Sequence, residues 1–547
     1  MDYKKDLYYA RIKKIEFINF RNIEYGTVEF PNSNIEDYAE EKTSILGLYG
    51  QNGSGKTSVI MALGILKDVL SGVPLSNKYE SCIRKGCERC SLKVSFSLLE
   101  KLTDSNNRPI MEQSYSQRHE AFYDFDIVLA DSDSDGFGDT QFSAKNKYLK
   151  IENEVFKFRS SNGFGNTFFP KQTVFDTRVN NETGKQKIFG SKWRENAYTN
   201  GDKEVLVQFK EIMAVTSSSS QSFIFSPRTL NLLISSIGKL FAEDEDVINA
   251  NMKVYNAVMD AINGEDFQNK AMDLSEEEIS NIAASALLVT PLNLISNLRT
   301  FGNGYLHVID TIITGQTNIN TKMPLLLWKR GIDSTYSYEI SLLMDGPTSV
   351  NKKIYENVKS SLRDVSDVLE KIVPGLKLNI VELGSSLSID NEEQCNFEVI
   401  SEREGTSIPL KYESDGVRRI VSILSLLIAA YNDSSFTIAI DEIDSGIFEY
   451  LLGELLGIMQ DNIKGQLVFT SHNLRPLEVL EPRYLCFTTT EPNNRFIRIA
   501  NRGNSNLRDG YIRSIILNTQ KEAVYNPTDR YEIELAFYKA GHSGVEK

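Results

Sequence analysis

Gly50, Gly55, Lys56 and Thr57 stand at the spacing G-x-x-x-x-G-K-[ST], and that spacing has a specific chemical use. Glycines let successive backbone N–H groups converge on a polyphosphate at the positive end of a helix, the lysine reaches the outer phosphates, and the hydroxyl ligates Mg²⁺. The flanking sequence fits, because Ile45, Leu46, Leu48 and Tyr49 form a short apolar strand that leads into GQNGSGKTSVIMALGIL. Strand, glycine loop and helix therefore follow in the order the chemistry requires.

A second set of candidates lies near residue 440. FTIAIDEID is an apolar strand, with Ile438 and Ile440 in it, that ends on Asp441 and Glu442. Two acids after a strand are often only a solvated turn. Beside a phosphate loop they gain a role, with Asp441 holding Mg²⁺ and Glu442 as the base that orients an attacking water. Upstream, in YESDGVRRIVSILSLLIAAY, Ser414 is placed to cap a helix that begins near Gly416 and aims its donors outward. Downstream, GQLVFTSHNL sets His472 after another apolar strand. Alone it reads as a surface histidine; in this series it is a candidate switch.

Other elements must bring these groups together. RIKKIEFINFRNIEYGTVEF alternates apolar and polar residues through Ile12, Ile15, Phe17, Phe20, Val28 and Phe30, the period of two antiparallel strands. Strand patterns return from Ser91 to Leu99 and from Phe122 to Leu129, the latter followed by the acidic turn DSDSDGFGD. From about Ser222 to Val373 the chain reads mostly helical, with acidic runs AEDEDV and LSEEE and no sustained heptad. Strands resume after Pro374 in LKLNIVEL, SLSID and CNFEVI. Three parts are expected: an N-terminal lobe over 1–221, a helical insertion over 222–374 and a C-terminal lobe over 375–547.

The order of phosphate loop, Ser-x-Gly helix, Asp-Glu strand and His after the next strand resembles the ABC-type ATPase heads of the SMC and RecF group. IEFINFRN and NGSGKTS resemble that group rather than a transporter cassette. The resemblance implies an α/β fold, an ABC-type P-loop head of mixed sheet and flanking helices. It implies that Asn52, Gly53, Ser54, Gly55, Lys56, Thr57 and Ser58 hold ATP in cis, with Mg²⁺ on Thr57 and Asp441. It also implies that Ser414 and Gly416 cap the γ-phosphate of a second copy in a head-to-tail dimer, that Asp444 to Gly446 cross the interface, and that Glu442 and His472 act at the γ-phosphate. The usual Ser-Gly-Gly is Ser414-Asp415-Gly416 here, a variant resembling the heads of prokaryotic defence ATPases; with the compact head, the helical insert and the missing nuclease, the chain resembles the PtuA ATPases of Septu-type and retron-associated antiphage systems. Their likeness implies a partner HNH nuclease, and in retron versions a reverse transcriptase with its msDNA. The glutamine by which such heads couple ATP to their surroundings is not fixed; Gln113, Gln117 and Gln141 are candidates. A RecF-like DNA-repair factor and an ATP-binding sensor without turnover share these motifs.

Composition bounds the rest. The 547 residues carry 60 Lys+Arg against 74 Asp+Glu, a net charge of −14, with 41% hydrophobic residues, enough for a sizeable core. The acidic balance argues against general coating of nucleic acid. No apolar run approaches the roughly 20 residues of a membrane span. MDYKKDLYYARIKK has no secretory pattern, and five cysteines fit a reducing cytoplasm, so a cytoplasmic location is expected. The tail after His472 is too short for an attached TOPRIM nuclease, so no nuclease domain is expected. Between Phe142 and Lys210 about 13 Lys/Arg face 7 Asp/Glu among several aromatics. That segment is either a DNA or RNA contact surface or an ordinary strand-rich lobe. Cys82, Cys87 and Cys90 have partial zinc spacing but lack a fourth ligand, His119 being the nearest histidine.

Overall fold

A computed structural model describes residues 8–34, 36–37, 42–100, 118–131, 147–161, 168–179, 186–242, 276–330, 335–387, 393–498, 507–517, 523–525 and 529–542. The opening alternation forms β1 (Tyr8–Phe20) and β2 (Ile23–Glu29), an antiparallel pair that joins β4 (Arg89–Glu100), β5 (Arg118–Asp131), β6 (Lys147–Ser160) and β7 (Gln172–Asp176). The sheet order is β2-β1-β4-β5-β6-β7, antiparallel throughout. Period-two alternation sends Ile15, Phe17, Val94, Phe96, Tyr123 and Phe125 into the core. The opposite face carries charges paired across strands, among them Lys93 to Glu16 at 3.1 Å and Arg89 to Asp126 at 3.2 Å.

A second sheet carries the candidate site. β3 (Ser44–Tyr49), β8 (Leu306–Ile309), β15 (Thr437–Ile440), β16 (Gln466–Thr470) and β17 (Leu485–Thr488) run parallel, and β18 (Phe496–Ile497) closes one edge antiparallel. Its order is β18-β17-β3-β16-β15-β8. Every residue of β3, β8, β15, β16 and β17 is buried, as expected of parallel strands covered on both faces. Helix α1 (Lys56–Ser71) packs against this sheet and against α2 (Glu276–Gly304). The two sheets are joined by the buried Gln466 amide, which accepts from Ile12 N–H at 2.8 Å and donates to Ile12 O at 2.9 Å.

The span 222–374 contains the expected helices, including α2 and α3 (Lys352–Ile372), yet it is not only helical. It supplies β8 to the central sheet, the hairpin of β9 (Lys322–Arg330) with β10 (Thr335–Leu343), and β11 (Thr348–Asn351). Beyond it, β12 (Lys377–Leu387) and β14 (Thr406–Pro409) pair with β13 (Glu393–Arg403), which also holds β11. Four-residue strands such as β8 and β11 are too short to show a two-residue period, which hides them in a span read mostly as helix. The turn DSDSDGFGD, beyond its first Asp, and the run AEDEDV, beyond its first Ala, lie outside the described residues. Among the described residues no helix is long and apolar enough to cross a membrane.

Candidate active site

Between β3 and α1 the chain turns through Gly50, Gly53 and Gly55, all at positive φ. A Cβ on Gly50 would overlap the Thr488 hydroxyl, so the position admits only glycine. Gly55 caps α1 without a side-chain hydrogen bond, leaving the helix N-terminus to a ligand. Lys56 Nζ donates to Gly50 O at 2.7 Å and Gln51 O at 3.2 Å, holding the ammonium across its own loop. Burial lowers the Lys56 pKa, against the opposing pull of Asp441, Asp444 and Glu442. A cleft of about 420 Å³ opens here, lined by Asn52, Gly53, Gly55, Lys56, Thr57 and Ser58, by Glu442, Thr470 and His472, and by Arg21 and Asn22. Ser54 does not line the cleft; its Oγ donates to Gln51 O at 2.6 Å and is bonded to Thr488.

The two carboxylates emerge from the end of β15. Asp441 is fully buried; its Oδ1 accepts from Thr470 Oγ1 at 2.6 Å and from Thr57 Oγ1 at 3.4 Å. Its Oδ2 is buried with no hydrogen-bond partner among the described residues. Burial raises the Asp441 pKa, and the hydroxyls of Thr470 and Thr57 act in the other direction. A buried, unsatisfied carboxylate oxygen beside a threonine hydroxyl is a hard oxygen donor set, and it fits Mg²⁺. Glu442 takes φ 49°, a left-handed conformation that non-glycine residues rarely adopt. Its N–H donates to Thr470 Oγ1 at 2.8 Å. The Arg419 guanidinium donates to Asp441 O at 2.8 Å and Glu442 O at 3.0 Å. Burial brings that guanidinium down to about 10, with Glu442, Asp441 and Asp444 countering.

Ser414 caps α4 (Asp415–Asn432) with its side chain accepting from Val417 N–H at 3.4 Å. Ser414 and Gly416 do not line the cleft of their own chain. The Asp415 carboxylate is held by Arg418, whose guanidinium also reaches Asn320. His472 does line the cleft, and its N–H donates to Asp444 Oδ2 at 3.0 Å, as does Asn473 N–H at 2.8 Å.

Sequence reasoning missed Arg21, Asn22, Thr470 and Arg419. Asn22 donates from its amide to Gly53 O, and Arg495 fixes Asn22 O at 2.7 Å. The signal for the first two was present in INFRN, a turn placed directly after a strand. Gln113, Gln117 and Gln141 lie outside the described residues. Cys82 and Cys90 are buried with their sulfurs 3.7 Å apart, and among the described residues no group of three or more histidine, cysteine, aspartate or glutamate side chains could hold a metal ion. His119 sits opposite Leu98 on β4, eight residues along that strand from Cys90, which at about 3.3 Å per residue is too far to complete a site. In the basic segment, Phe156, Phe158 and Phe175 are buried core. Lys150, Arg159, Arg178 and Lys192 each pair with a carboxylate, and Lys171 lies 3.6 Å over the Phe122 ring. Much of that segment's charge and ring surface is thus engaged within the fold.

A family model described as an AAA ATPase domain (AAA_15) matches residues 11–474. No curated protein matches the chain. Among solved structures, the chain is similar to the Smc head domain with an extended coiled coil from Pyrococcus furiosus, bound to the C-terminal domain of ScpA. That match has 12% identity, covers 93% of this chain and 99% of that one, and has a TM-score of 0.33. A SmcHead bound to the C-winged helix domain of ScpA gives 12%, 89% and 97%, at a TM-score of 0.32. The Smc head domain with a coiled coil and joint from Pyrococcus yayanosii gives 11%, 90% and 97%, at 0.34. The family match spans most of the chain and both halves of the cleft, and the protein belongs to the AAA_15 family of AAA ATPase domains.

Proposed function

We propose that the cleft binds ATP with Mg²⁺ and that the chain hydrolyses it slowly at the interface of a head-to-tail dimer of two copies. The observation that carries this reading is the convergence of Lys56, Thr57 and Glu442 on one cleft, with the buried Asp441 bonded to Thr57 behind it and one of its oxygens left for a cation. Asn52 to Ser58 wrap the phosphates, and Lys56 exchanges its loop carbonyls for phosphate oxygens. Thr57 and Asp441 hold Mg²⁺, which when bound neutralises charge on the outer phosphates. Glu442 accepts the proton of the attacking water. Ser414 and Gly416, outside their own cleft, reach the γ-phosphate bound to the second copy. Asp444 to Gly446 cross the same interface, and His472 senses the γ-phosphate.

We further propose that this ATPase serves antiphage defence by controlling a partner HNH nuclease, joined in retron-type assemblies by a reverse transcriptase and its msDNA. The Ser414-Asp415-Gly416 variant, similar to that of the PtuA ATPases, supports this, and its Asp415 carboxylate is paired with Arg418. Two measurements test the whole. Phosphate release by the wild type, lost in Glu442→Gln while ATP binding persists, is expected; no release in either identifies a sensor without turnover. Purification from the native host is expected to bring down an HNH nuclease. Duplex DNA with replication proteins and no nuclease identifies a RecF-like repair factor instead.

A further inference from the structure

Three consecutive residues at the end of β15 hang on one residue of the neighbouring strand. Thr470 Oγ1 donates to Asp441 Oδ1 at 2.6 Å, the same oxygen accepts from Glu442 N–H at 2.8 Å, and Thr470 O accepts from Ile443 N–H at 3.0 Å. The parallel register that sets Ile440 opposite Phe469 brings Thr470 level with Asp441. Thr470 is 1% exposed and Asp441 fully buried, so neither bond is replaced by bulk water if it is lost.

The geometry points to Thr470 as the positioning residue of the metal and water centre. Its single hydroxyl proton occupies Asp441 Oδ1 and leaves Oδ2, which has no partner among the described residues, as the oxygen for the cation. Its lone pair holds the Glu442 N–H and so maintains the left-handed backbone from which the Glu442 side chain enters the cleft. One hydroxyl thereby sets the orientation of both carboxylates relative to each other. The inference rests on the ATP–Mg²⁺ reading of the cleft.

The test is Thr470→Val, which keeps the shape and removes both bonds, beside Thr470→Ser, which keeps the hydroxyl. ATP affinity is titrated against Mg²⁺, and kcat is separated from KM. Loss of an outer hydrogen bond to a metal ligand typically costs 10–100-fold in metal affinity or activity. In Thr470→Val the half-saturating Mg²⁺ for ATP binding is expected to rise at least about tenfold and kcat to fall. ATP affinity without metal stays unchanged, and Thr470→Ser restores the Mg²⁺ dependence. A purely structural role would lower the melting temperature of both variants and leave the Mg²⁺ dependence alone. Wild-type Mg²⁺ dependence in a folded Thr470→Val protein, or no rescue by serine, overturns the assignment. A wild type whose ATP affinity ignores Mg²⁺ overturns the cleft reading first, and this inference with it.

Discussion

Gly416 and Gly446 touch backbone to backbone: a Cβ built on Gly416 would sit well inside 3.0 Å of the Gly446 carbonyl oxygen, closer than real Cβ atoms come. The first turn of α4 is thereby seated on the turn that follows the two carboxylates. Gly416→Ala is expected to force that turn away and to lower stability by about 1–3 kcal/mol, the usual cost of overpacking. It should weaken ATP-driven association more than ATP binding, because the phosphate loop is not in the contact. A thermal melt and light scattering with and without ATP check both halves.

Ser414→Arg places a long cation at the outward end of α4. Association driven by ATP should be lost while binding to the isolated chain is spared. Association that survives this change removes the head-to-tail arrangement.

Lys56→Ala is expected to abolish nucleotide binding, since Lys56 is the cation that lines the phosphate loop itself. Fluorescence titration with a labelled ATP analogue measures it.

Burial raises the pKa of Asp441 above its ordinary carboxylate value, so the ligand-free fold takes up a proton there more readily than the unfolded chain. The stabilising contribution of this group is complete below the unfolded pKa and is lost as pH rises through the folded one. At neutral pH the buried charge is a cost, and Asp441→Asn is expected to stabilise the ligand-free protein by about 1 kcal/mol while removing Mg²⁺-dependent activity. A variant that melts lower than the wild type without nucleotide contradicts this.

His119 behaves in the opposite sense. It is completely buried, its Nδ1 lies 2.8 Å from Ser160 Oγ, and burial brings its pKa down to about 4. Between the ordinary histidine value and about 4 the unfolded chain gains a proton that the folded one does not. The fold should therefore lose about 2 kcal/mol on going from pH 7.5 to pH 5 through this group. His119→Leu should flatten that part of the pH–stability curve, measured by chemical denaturation.

Much of the site was legible because each motif is local. The glycine spacing, the Asp441-Glu442 pair, the serine-led helix and His472 are contiguous patterns, and the apolar runs around them mark buried parallel strands. The elements that escaped act through tertiary contact and carry no spacing of their own. Arg419 looks like one more polar residue of a helix until its guanidinium is seen on the carbonyls of Asp441 and Glu442. Thr470 reads as a β-branched strand residue. The positive count over 142–210 could not show how those charges are paired, since Glu120, which pairs with Arg159, lies outside that window. Strand β8 hid within a helical span, because four residues after a long helix offer no period to detect.

The central sheet also dictates a timetable for synthesis. β3 ends at Tyr49, but its partner β16 begins at Gln466 and its other neighbour β17 at Leu485. At about 5–20 residues per second the ribosome needs tens of seconds to deliver them. Throughout that interval β3 has no neighbouring strand to pair with, whereas β1, β2, β4, β5, β6 and β7 can already pair with one another. A chain arrested before Gln466 is therefore expected to present a folded antiparallel lobe beside a protease-sensitive phosphate loop. The nascent protein cannot close its cleft around a nucleotide until nearly all of it has been made.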